Sequence, residues 1–353
     1  MTSVEFGYDP QSLLPLVGEL HRETANGKQA LITGITGQDG SYLAPLLYLQ
    51  GYDVTGLLRK HPDSSRSRRT GMHPVDQFPY ADFAIGDYAY DAFRIFDQTH
   101  PDLIFHLAAQ PQVGKSFRTA GADSHATGLG VLNILQAVDH FYEPGEVKVY
   151  LAGSSEQFGG VPGTIPDVGY NEQIPFNARS PYGAYKTLAF TLGRIFREQG
   201  MFVSNGILFN HESPIRGAEF VTRKITYSVA QIALGMQDVI ELGNLDAKRD
   251  WGFAGDYVDA MRLMMEQDKP SDYVVATGEM HSIRDLLDIA FQQVGIEDWH
   301  NRVVSTDKHR RPVEVEWLKG NASRANSELG WTPRVGFEKL IKSMVAHDLE
   351  LLS

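Results

Sequence analysis

Cysteine is absent from all 353 residues, which excludes a disulfide framework and any metal site built on thiolates. The chain also lacks a run of 18 apolar residues, the minimum typical of a membrane-spanning helix. Positive charge is scarce: 32 Lys plus Arg face 44 Asp plus Glu, a net charge of −12, which disfavours binding to a nucleic-acid backbone. Glu5 and Asp9 stand where a secretory signal would carry cations. These absences predict a cytoplasmic protein without membrane or nucleic-acid partners.

The length of 353 residues exceeds the size at which a single core stops growing, so two lobes with a cleft between them are expected. Residues 1–27 are predicted to form a short appended helix or arm, because their apolar residues have roughly helical spacing that Pro15 and Gly18 interrupt. We predict a dinucleotide-binding domain over residues 28–205 and a substrate lobe mainly over 206–353. Part of residues 238–268 is a candidate to return to the first domain.

Short apolar runs alternate with longer amphipathic stretches from Gln29 onward. The runs lie at 30–32, 53–58, 103–107 and 148–152. Strands that are apolar on both faces and separated by helices indicate a parallel sheet covered on both sides. The sequence therefore predicts an α/β fold, a doubly wound Rossmann-type sheet with a smaller mixed α/β lobe, whose ligands bind at the carboxyl ends of the strands.

A glycine-rich loop directly follows the first predicted strand. Gly34, Gly37 and Gly40 are spaced three apart and precede a predicted helix over 41–50. Without a Cβ, such a turn lets backbone amides approach a pyrophosphate at the positive end of a helix. The loop predicts a dinucleotide cofactor.

The end of the second predicted strand bears on which dinucleotide binds. Arg59 and Lys60 stand where an acidic residue would bind a ribose 2′-hydroxyl, and arginine there accommodates a 2′-phosphate. NADP is favoured over NAD. Asp63 lies four residues beyond Arg59 and would reverse the preference if it folded back onto the ribose.

Four residues form a candidate catalytic group. Tyr182 and Lys186 are four residues apart and lie on one face of a helix. The lysine, together with a cationic nicotinamide, is expected to lower the pKa of the phenol. Ser154 follows a predicted strand and can share a substrate oxygen with Tyr182. Glu156 lies two residues further; hydride transfer alone does not need its carboxylate, whereas loss of water does.

Several segments together resemble the GDP-mannose 4,6-dehydratase family of the extended short-chain dehydrogenase/reductase superfamily. They are residues 34–43, 179–182, 205–217, 220–225 and 249–252. The resemblance covers about residues 28–350, and residues 205–217 are its most diagnostic part.

The resemblance implies a redox-neutral dehydration of a GDP-sugar. Tyr182, assisted by Ser154 and Lys186, would take the proton of the 4-hydroxyl while a hydride passes to NADP. Glu156 would remove the C5 proton and protonate the departing C6 hydroxyl, after which the hydride returns to C6. The product would be a GDP-4-keto-6-deoxy sugar, which makes the enzyme a hydro-lyase. The family also implies a dimer or tetramer.

The resemblance also implies further site residues. The cofactor set comprises Gly34, Thr36, Gly37, Gln38, Asp39, Gly40, Arg59, Lys60, Asp87, Leu107, Ala109, Gln110, Tyr182, Lys186, His211 and Arg216. The substrate set comprises Asn210, Lys224, Arg249, Arg311 and Glu314. No metal is predicted, because the His residues show no ligand spacing.

Some positions depart from the family pattern. Gly153 replaces a usual Ser, Ser154 replaces a usual Thr, and Phe253 stands where His is frequent. The loop over 157–180 is longer than expected. A related substrate such as a GDP-manno-heptose therefore stays open, as does a sugar-nucleotide epimerase or 4-ketoreductase, which would not need Glu156.

Overall fold

A seven-stranded parallel sheet forms the centre of the computed structural model, which describes residues 24–58, 80–82, 89–160, 168–306, 315 and 317–353. At residues 58, 80–82, 89–90 and 121–126 only the backbone is described. In chain order the fourteen strands of the described part are β1 (Gln29–Thr33), β2 (Asp53–Leu58), β3 (Tyr80–Asp82), β4 (Leu103–His106), β5 (Lys148–Ala152), β6 (Phe202–Leu208), β7 (Asn210–Glu212), β8 (Ile240–Leu242), β9 (Lys248–Arg249), β10 (Trp251–Phe253), β11 (Asp272–Val275), β12 (His281–Ser282), β13 (Val303–Ser305) and β14 (Trp317–Leu318). The central order is β11-β6-β5-β4-β1-β2-β3.

Ten α-helices connect the strands in the described part of the chain. They are α1 (Gln38–Leu49), α2 (Ala89–Thr99), α3 (Val113–Ser124), α4 (Gly130–Phe141), α5 (Pro181–Glu198), α6 (Val221–Ala233), α7 (Ala254–Glu266), α8 (Ile283–Gln293), α9 (Ser323–Leu329) and α10 (Phe337–Leu352). A π-helical segment (His125–Leu129) joins α3 to α4. Short 3₁₀ turns span Ser155–Gln157 and His300–Arg302.

The two faces of the central sheet each bury a separate apolar cluster. Along β1, Ala30 and Ile32 pack into the cluster that contains α1 and α7, whereas Leu31 packs into the cluster that contains α2 and α4. This alternation follows from the two-residue period of a strand. Both faces are covered, as the uninterrupted apolar runs predict, and the doubly wound fold is confirmed.

Local signals fix the start of the helix that carries Tyr182 and Lys186. The Ser180 hydroxyl accepts a hydrogen bond from the Gly183 amide, and Pro181 occupies the first helical position. Both are favoured at a helix N-terminus, because the hydroxyl satisfies a free amide and proline has none to lose. These caps set the register that turns residues 182 and 186 inward.

The second half of the chain contributes both to the central sheet and to several smaller sheets. Strand β11 completes the central sheet by pairing with β6, and α7 packs on α1 and β5. The remaining strands form small sheets: β7 with β10, β8 with β13, and β9 with β12 and β14. The division at residue 205 stays a prediction, and residues 1–23 of the arm lie outside the described residues.

Within the described ranges, no helix combines the length and the apolar character required to cross a membrane.

Candidate active site

The glycine loop between β1 and α1 is shaped for close approach. Gly34 has a φ of +74°, and a Cβ there would lie 3.0 Å from the backbone of Ala108 at the end of β4. Gly37 precedes α1 without a side-chain cap, so the first amides of the helix face the loop. The strand order reverses between β1 and β4, which is where a doubly wound sheet binds its ligand. These residues fit the pyrophosphate of a dinucleotide.

Gly40 provides the first prediction. A Cβ at this position would lie 2.5 Å from the carbonyl oxygen of Ile35, so Gly40→Ala must displace α1 from the loop. We expect binding of the nicotinamide dinucleotide to weaken at least about tenfold, with a stability loss of about 1–3 kcal/mol. Fluorescence titration and thermal unfolding would measure both. Gly336→Ala is the matched control, since a Cβ there meets nothing within 4 Å. Unchanged dinucleotide affinity in Gly40→Ala would contradict the prediction.

Asp39, in the first turn of α1, forms an ion pair with His211. The His211 Nε2 lies 3.0 Å from one carboxylate oxygen and 3.1 Å from the other. Its Nδ1 lies 2.8 Å from the Phe209 carbonyl oxygen, and its ring stacks on Tyr257 at 4.7 Å. Burial opposes the charge, but Asp39 outweighs it and raises the pKa of His211. The pKa of Asp39 is lowered by His211 and Arg216 despite its burial.

The ion pair gives a prediction about pH. In Asp39→Asn the charge of Asp39, the main influence that raises the pKa of His211, is lost, while burial and Arg216 still lower that pKa and only the Phe209 carbonyl opposes them. His211 should then lose its proton at a lower pH than in the unaltered chain. We expect the dinucleotide affinity of the variant to fall with rising pH between about pH 5 and pH 6.5, below the usual imidazole pKa, and the affinity of the unaltered protein to hold through this range. Binding titrations across this range would test it, and parallel profiles would contradict it.

Ser154 and Glu156 lie together in the 3₁₀ turn that follows β5. The Ser154 hydroxyl caps this turn by accepting from the Glu156 amide at 3.3 Å, and the Ser154 amide donates to Gln157 Oε1 at 2.7 Å. Both side chains are buried, with 9% of Ser154 and 8% of Glu156 exposed. A Cβ at Gly153 would lie 2.8 Å from both the Gly206 carbonyl and Gln157 Oε1. Glycine at this position therefore lets the 3₁₀ turn lie against β6.

The turn and Tyr182 meet at Gly183. A Cβ at Gly183 would lie 2.6 Å from the Glu156 carbonyl oxygen, so α5 and the turn are in close contact. Burial is the largest influence on the pKa of Tyr182 and raises it, while Ser154 is near enough to the phenol to lower this pKa by hydrogen bonding and Glu156 is near enough for its charge to raise it. The structure thus brings Ser154, Glu156 and Tyr182 into one buried group.

Lys186 completes the group from the next turn of α5. Its Nζ lies 5.9 Å from the centre of the Tyr182 ring and donates to the Ala152 carbonyl at 2.6 Å. Burial lowers the pKa of Lys186 to about 8. Burial also raises the pKa of Tyr182 to about 12, and the Ser154 hydrogen bond only partly offsets it. The protein alone therefore does not lower the phenol pKa, and the expected depression requires the cationic nicotinamide.

Sequence reasoning missed three polar groups beneath this site. Thr33 Oγ1 and His106 Nδ1, at the ends of β1 and β4, lie 2.8 Å apart. Burial, followed by the charge of Lys186, lowers the pKa of His106 to about 3, so this ring is neutral. Ser116 on α3 accepts the Tyr182 amide at 3.2 Å. The positions of Thr33 and His106 at the ends of predicted strands could have indicated that they lie near the site. No feature of the sequence around Ser116 indicates this.

The other predicted cofactor residues cluster near the loop. Thr36, Leu107, Ala109 and Gln110 are half-buried where β1 and β4 end. Gln38 donates to the His211 carbonyl at 3.0 Å and accepts from the Ser213 hydroxyl at 2.8 Å. Arg59, Lys60 and Asp87 lie outside the described residues.

The predicted substrate residues are spread over the second half. Asn210 lies on β7 and pairs with Trp251 of β10, two residues beyond the buried Arg249. Lys224, on α6, donates to the Glu241 carbonyl at 2.6 Å. Arg311 and Glu314 lie outside the described residues. Their shared role stays a prediction.

Two departures from the family pattern have structural explanations. Phe253 is fully buried and packs edge-to-face on Tyr42 at 5.4 Å, so it belongs to the core. In the long loop, Tyr170 stacks on Phe158 at 4.6 Å. Residues 161–167 of that loop are outside the described residues. Among described residues, no group of three or more His, Asp or Glu is placed to hold a metal.

The family model described as GDP-mannose 4,6 dehydratase matches residues 31–344. The chain belongs to the GDP-mannose 4,6-dehydratase family. The resemblance drawn from the sequence is confirmed.

Family members from distant organisms match nearly the whole chain. GDP-mannose 4,6 dehydratase 2 of Arabidopsis thaliana is 47% identical, over 92% of this chain and 87% of its own length. GDP-mannose 4,6 dehydratase of Homo sapiens is 41% identical, over 92% of each chain.

Solved structures of lower identity share the fold. The UDP-glucose 4-epimerase of Thermotoga maritima, solved with UDP-glucose, has a TM-score of 0.78 at 22% identity and covers 92% of this chain and all of its own. The dTDP-glucose 4,6-dehydratase of Bacillus anthracis, in complex with NAD, has a TM-score of 0.74 at 16% identity, with 91% and 96% covered. At these identities, the likeness shows only that this chain has the same fold as the two solved structures.

Proposed function

We propose that this chain removes water from GDP-mannose to give a GDP-4-keto-6-deoxy sugar, using NADP that is regenerated in each turnover. Membership of the family supports the substrate and the reaction. The observation that carries the proposal is the buried Glu156 beside Tyr182, because oxidation of a sugar hydroxyl alone needs no such carboxylate.

The cofactor would lie across the ends of β1 and β4. Gly34, Gly37 and the α1 N-terminus would hold its pyrophosphate, and His211 and Arg216 would add positive charge. Arg59 and Lys60 support NADP over NAD by their place after β2. When bound there, the nicotinamide would supply reversible hydride transfer, out from C4 of the sugar and back at C6.

Tyr182 begins the reaction by accepting the proton of the 4-hydroxyl. Ser154 hydrogen-bonds the phenol and shares the substrate oxygen. Lys186 Nζ lies 5.9 Å from the centre of the tyrosine ring, and together with a bound cationic nicotinamide it would stabilise the phenolate. Burial of the group excludes water, which strengthens both interactions.

Glu156 performs the elimination. Once C4 is a ketone, the C5 proton is acidic, and the carboxylate removes it and transfers it to the C6 hydroxyl, which leaves as water. C5 then takes up one proton, which balances the proton that Tyr182 accepted from the 4-hydroxyl. The net change is therefore loss of one water with no change in redox state.

The substrate would extend into the second lobe. Arg249, Lys224, Asn210, Arg311 and Glu314 are proposed to contact the GDP-sugar, where arginine offers forked donors to the diphosphate. A homo-oligomer, either a dimer or a tetramer, and a cytoplasmic location are proposed from the family and the composition.

Mass spectrometry of purified protein incubated with GDP-, dTDP-, UDP- and CDP-hexoses, without added reductant, tests the proposal. We expect loss of one water from GDP-mannose alone. A GDP-manno-heptose in the same panel separates the two GDP-sugars. In a parallel incubation with added NADPH, consumption of the NADPH without water loss would overturn the dehydratase and favour a 4-ketoreductase, and conversion without mass change would favour an epimerase.

A further inference from the structure

A buried ion pair joins α6 to α10 beside residues 213–217, the loop that carries Arg216. Arg223 Nε donates to Asp348 Oδ1 at 2.7 Å, and its Nη2 lies 2.6 Å from the same oxygen. Only 2% of the Arg223 side chain and none of the Asp348 side chain is exposed. Thr226 donates to the other carboxylate oxygen at 2.7 Å. A buried ion pair is stable only if its donors and acceptors are hydrogen-bonded. Asp348 accepts from the Nε and Nη2 groups on one side of the Arg223 guanidinium.

The other side of the guanidinium holds the backbone of the loop. Arg223 Nη1 donates to the carbonyl of Pro214 and, at 3.2 Å, to the carbonyl of Arg216. Arginine can do this because its donors form a rigid planar fork, whereas lysine has one ammonium group. The ion pair therefore fixes the backbone from which the Arg216 side chain projects.

The Arg216 side chain packs beside β7, the strand whose His211 contacts Asp39 of the cofactor loop. Its guanidinium lies 3.7 Å above the centre of the Phe220 ring, and its Nε lies 3.0 Å from Glu212. Burial raises the pKa of Asp39, and the charges of His211 and Arg216 more than offset it. Arg216 thus lies on the segment that also contacts the start of α1, since the Ser213 hydroxyl donates to Gln38 at 2.8 Å.

We propose that Arg223 and Asp348 are positioning residues that hold Arg216 against the dinucleotide phosphates, so that the last helix of the chain controls how tightly the cofactor is retained. The inference rests on the proposed NADP site. Arg223 and Asp348 would contact neither cofactor nor substrate. They would affect cofactor binding only by fixing the position of Arg216.

A double-mutant cycle on NADP affinity tests this. Arg223→Lys keeps a positive partner for Asp348 but cannot reach both the carboxylate and the two carbonyls. We expect NADP to bind about tenfold more weakly in Arg223→Lys, and the same substitution to cost less than about twofold when Arg216 is already Ala. Affinity for GDP should not change in either background. Dissociation constants would be measured by nicotinamide fluorescence, with thermal unfolding to confirm the fold.

If Arg223→Lys does not fold, Asp348→Asn replaces it in the same double-mutant cycle. The amide has nearly the volume of the carboxylate and keeps an oxygen that can accept from Arg223. Arg262→Lys is the matched control, since Arg262 pairs with Asp259 and Glu266 on α7. Equal losses with and without Arg216, or a parallel loss of GDP affinity, would overturn the positioning role while the NADP site stands. Absence of saturable NADP binding by the unaltered protein would overturn the NADP site and this inference together.

Discussion

Glu156→Gln is expected to reduce water loss from the GDP-sugar by about 10²- to 10⁴-fold, the usual contribution of a general acid–base group. The amide is nearly isosteric and keeps the packing of the 3₁₀ turn, but it cannot take the C5 proton. Oxidation at C4 needs only Tyr182, Ser154 and Lys186, so it should persist. Stopped reactions should therefore contain a 4-keto sugar that retains its 6-hydroxyl, detected by mass, together with reduced nicotinamide detected by absorbance.

Glu172→Gln is the matched control for this change. Glu172 is also partly buried, and its Oε1 accepts the Val274 amide at 2.7 Å, which a glutamine oxygen can still do. Water loss should be near normal in that variant. If Glu156→Gln dehydrated the sugar at the unaltered rate, Glu156 would have no part in the elimination and the dehydratase mechanism would need another base.

Tyr182→Phe is expected to stop the cycle one step earlier. The ring still fills its buried position, but phenylalanine cannot accept the proton of the 4-hydroxyl. We expect turnover to fall by about 10²- to 10⁴-fold with no accumulation of reduced nicotinamide. This spectroscopic difference separates the two variants, because Glu156→Gln should accumulate reduced nicotinamide and Tyr182→Phe should not.

Tyr185→Phe provides the control on the same helix. The Tyr185 hydroxyl donates to the Ala120 carbonyl at 2.9 Å, so this variant loses a hydrogen bond without loss of the catalytic phenol. Its turnover should stay within a few fold of the unaltered rate. Comparable losses in Tyr182→Phe and Tyr185→Phe would assign the effect to helix packing rather than to chemistry.

The sequence predicted the central strands because both of their faces are buried. The runs at 53–58 and 148–152 match β2 and β5 residue for residue. The helix expected over 41–50 begins at Gln38, since Gly37 is its N-cap. Tyr182 and Lys186 could be paired from their spacing alone, because helical periodicity places them one turn apart.

Contacts between distant segments could not be predicted in this way. Arg223 and Asp348 are 125 residues apart, and neither position carries a local signal of the other. The closeness of Glu156 to α5 depends on Gly183, which helix propensity alone disfavours. The pKa of Tyr182 reflects burial that only the folded chain creates, which explains why spacing suggested a lower pKa than the protein alone produces.

The placement of β11 has a consequence for attempts to divide the protein. Every residue of β6 is buried, and its outer edge is paired with β11, whose residues come some sixty positions later in the chain. A fragment that stops after β6 would expose a long apolar strand edge, which is a template for aggregation. The nucleotide-binding half should therefore be insoluble when expressed alone, and grafting it onto another substrate lobe would require β11 and α7 to travel with it.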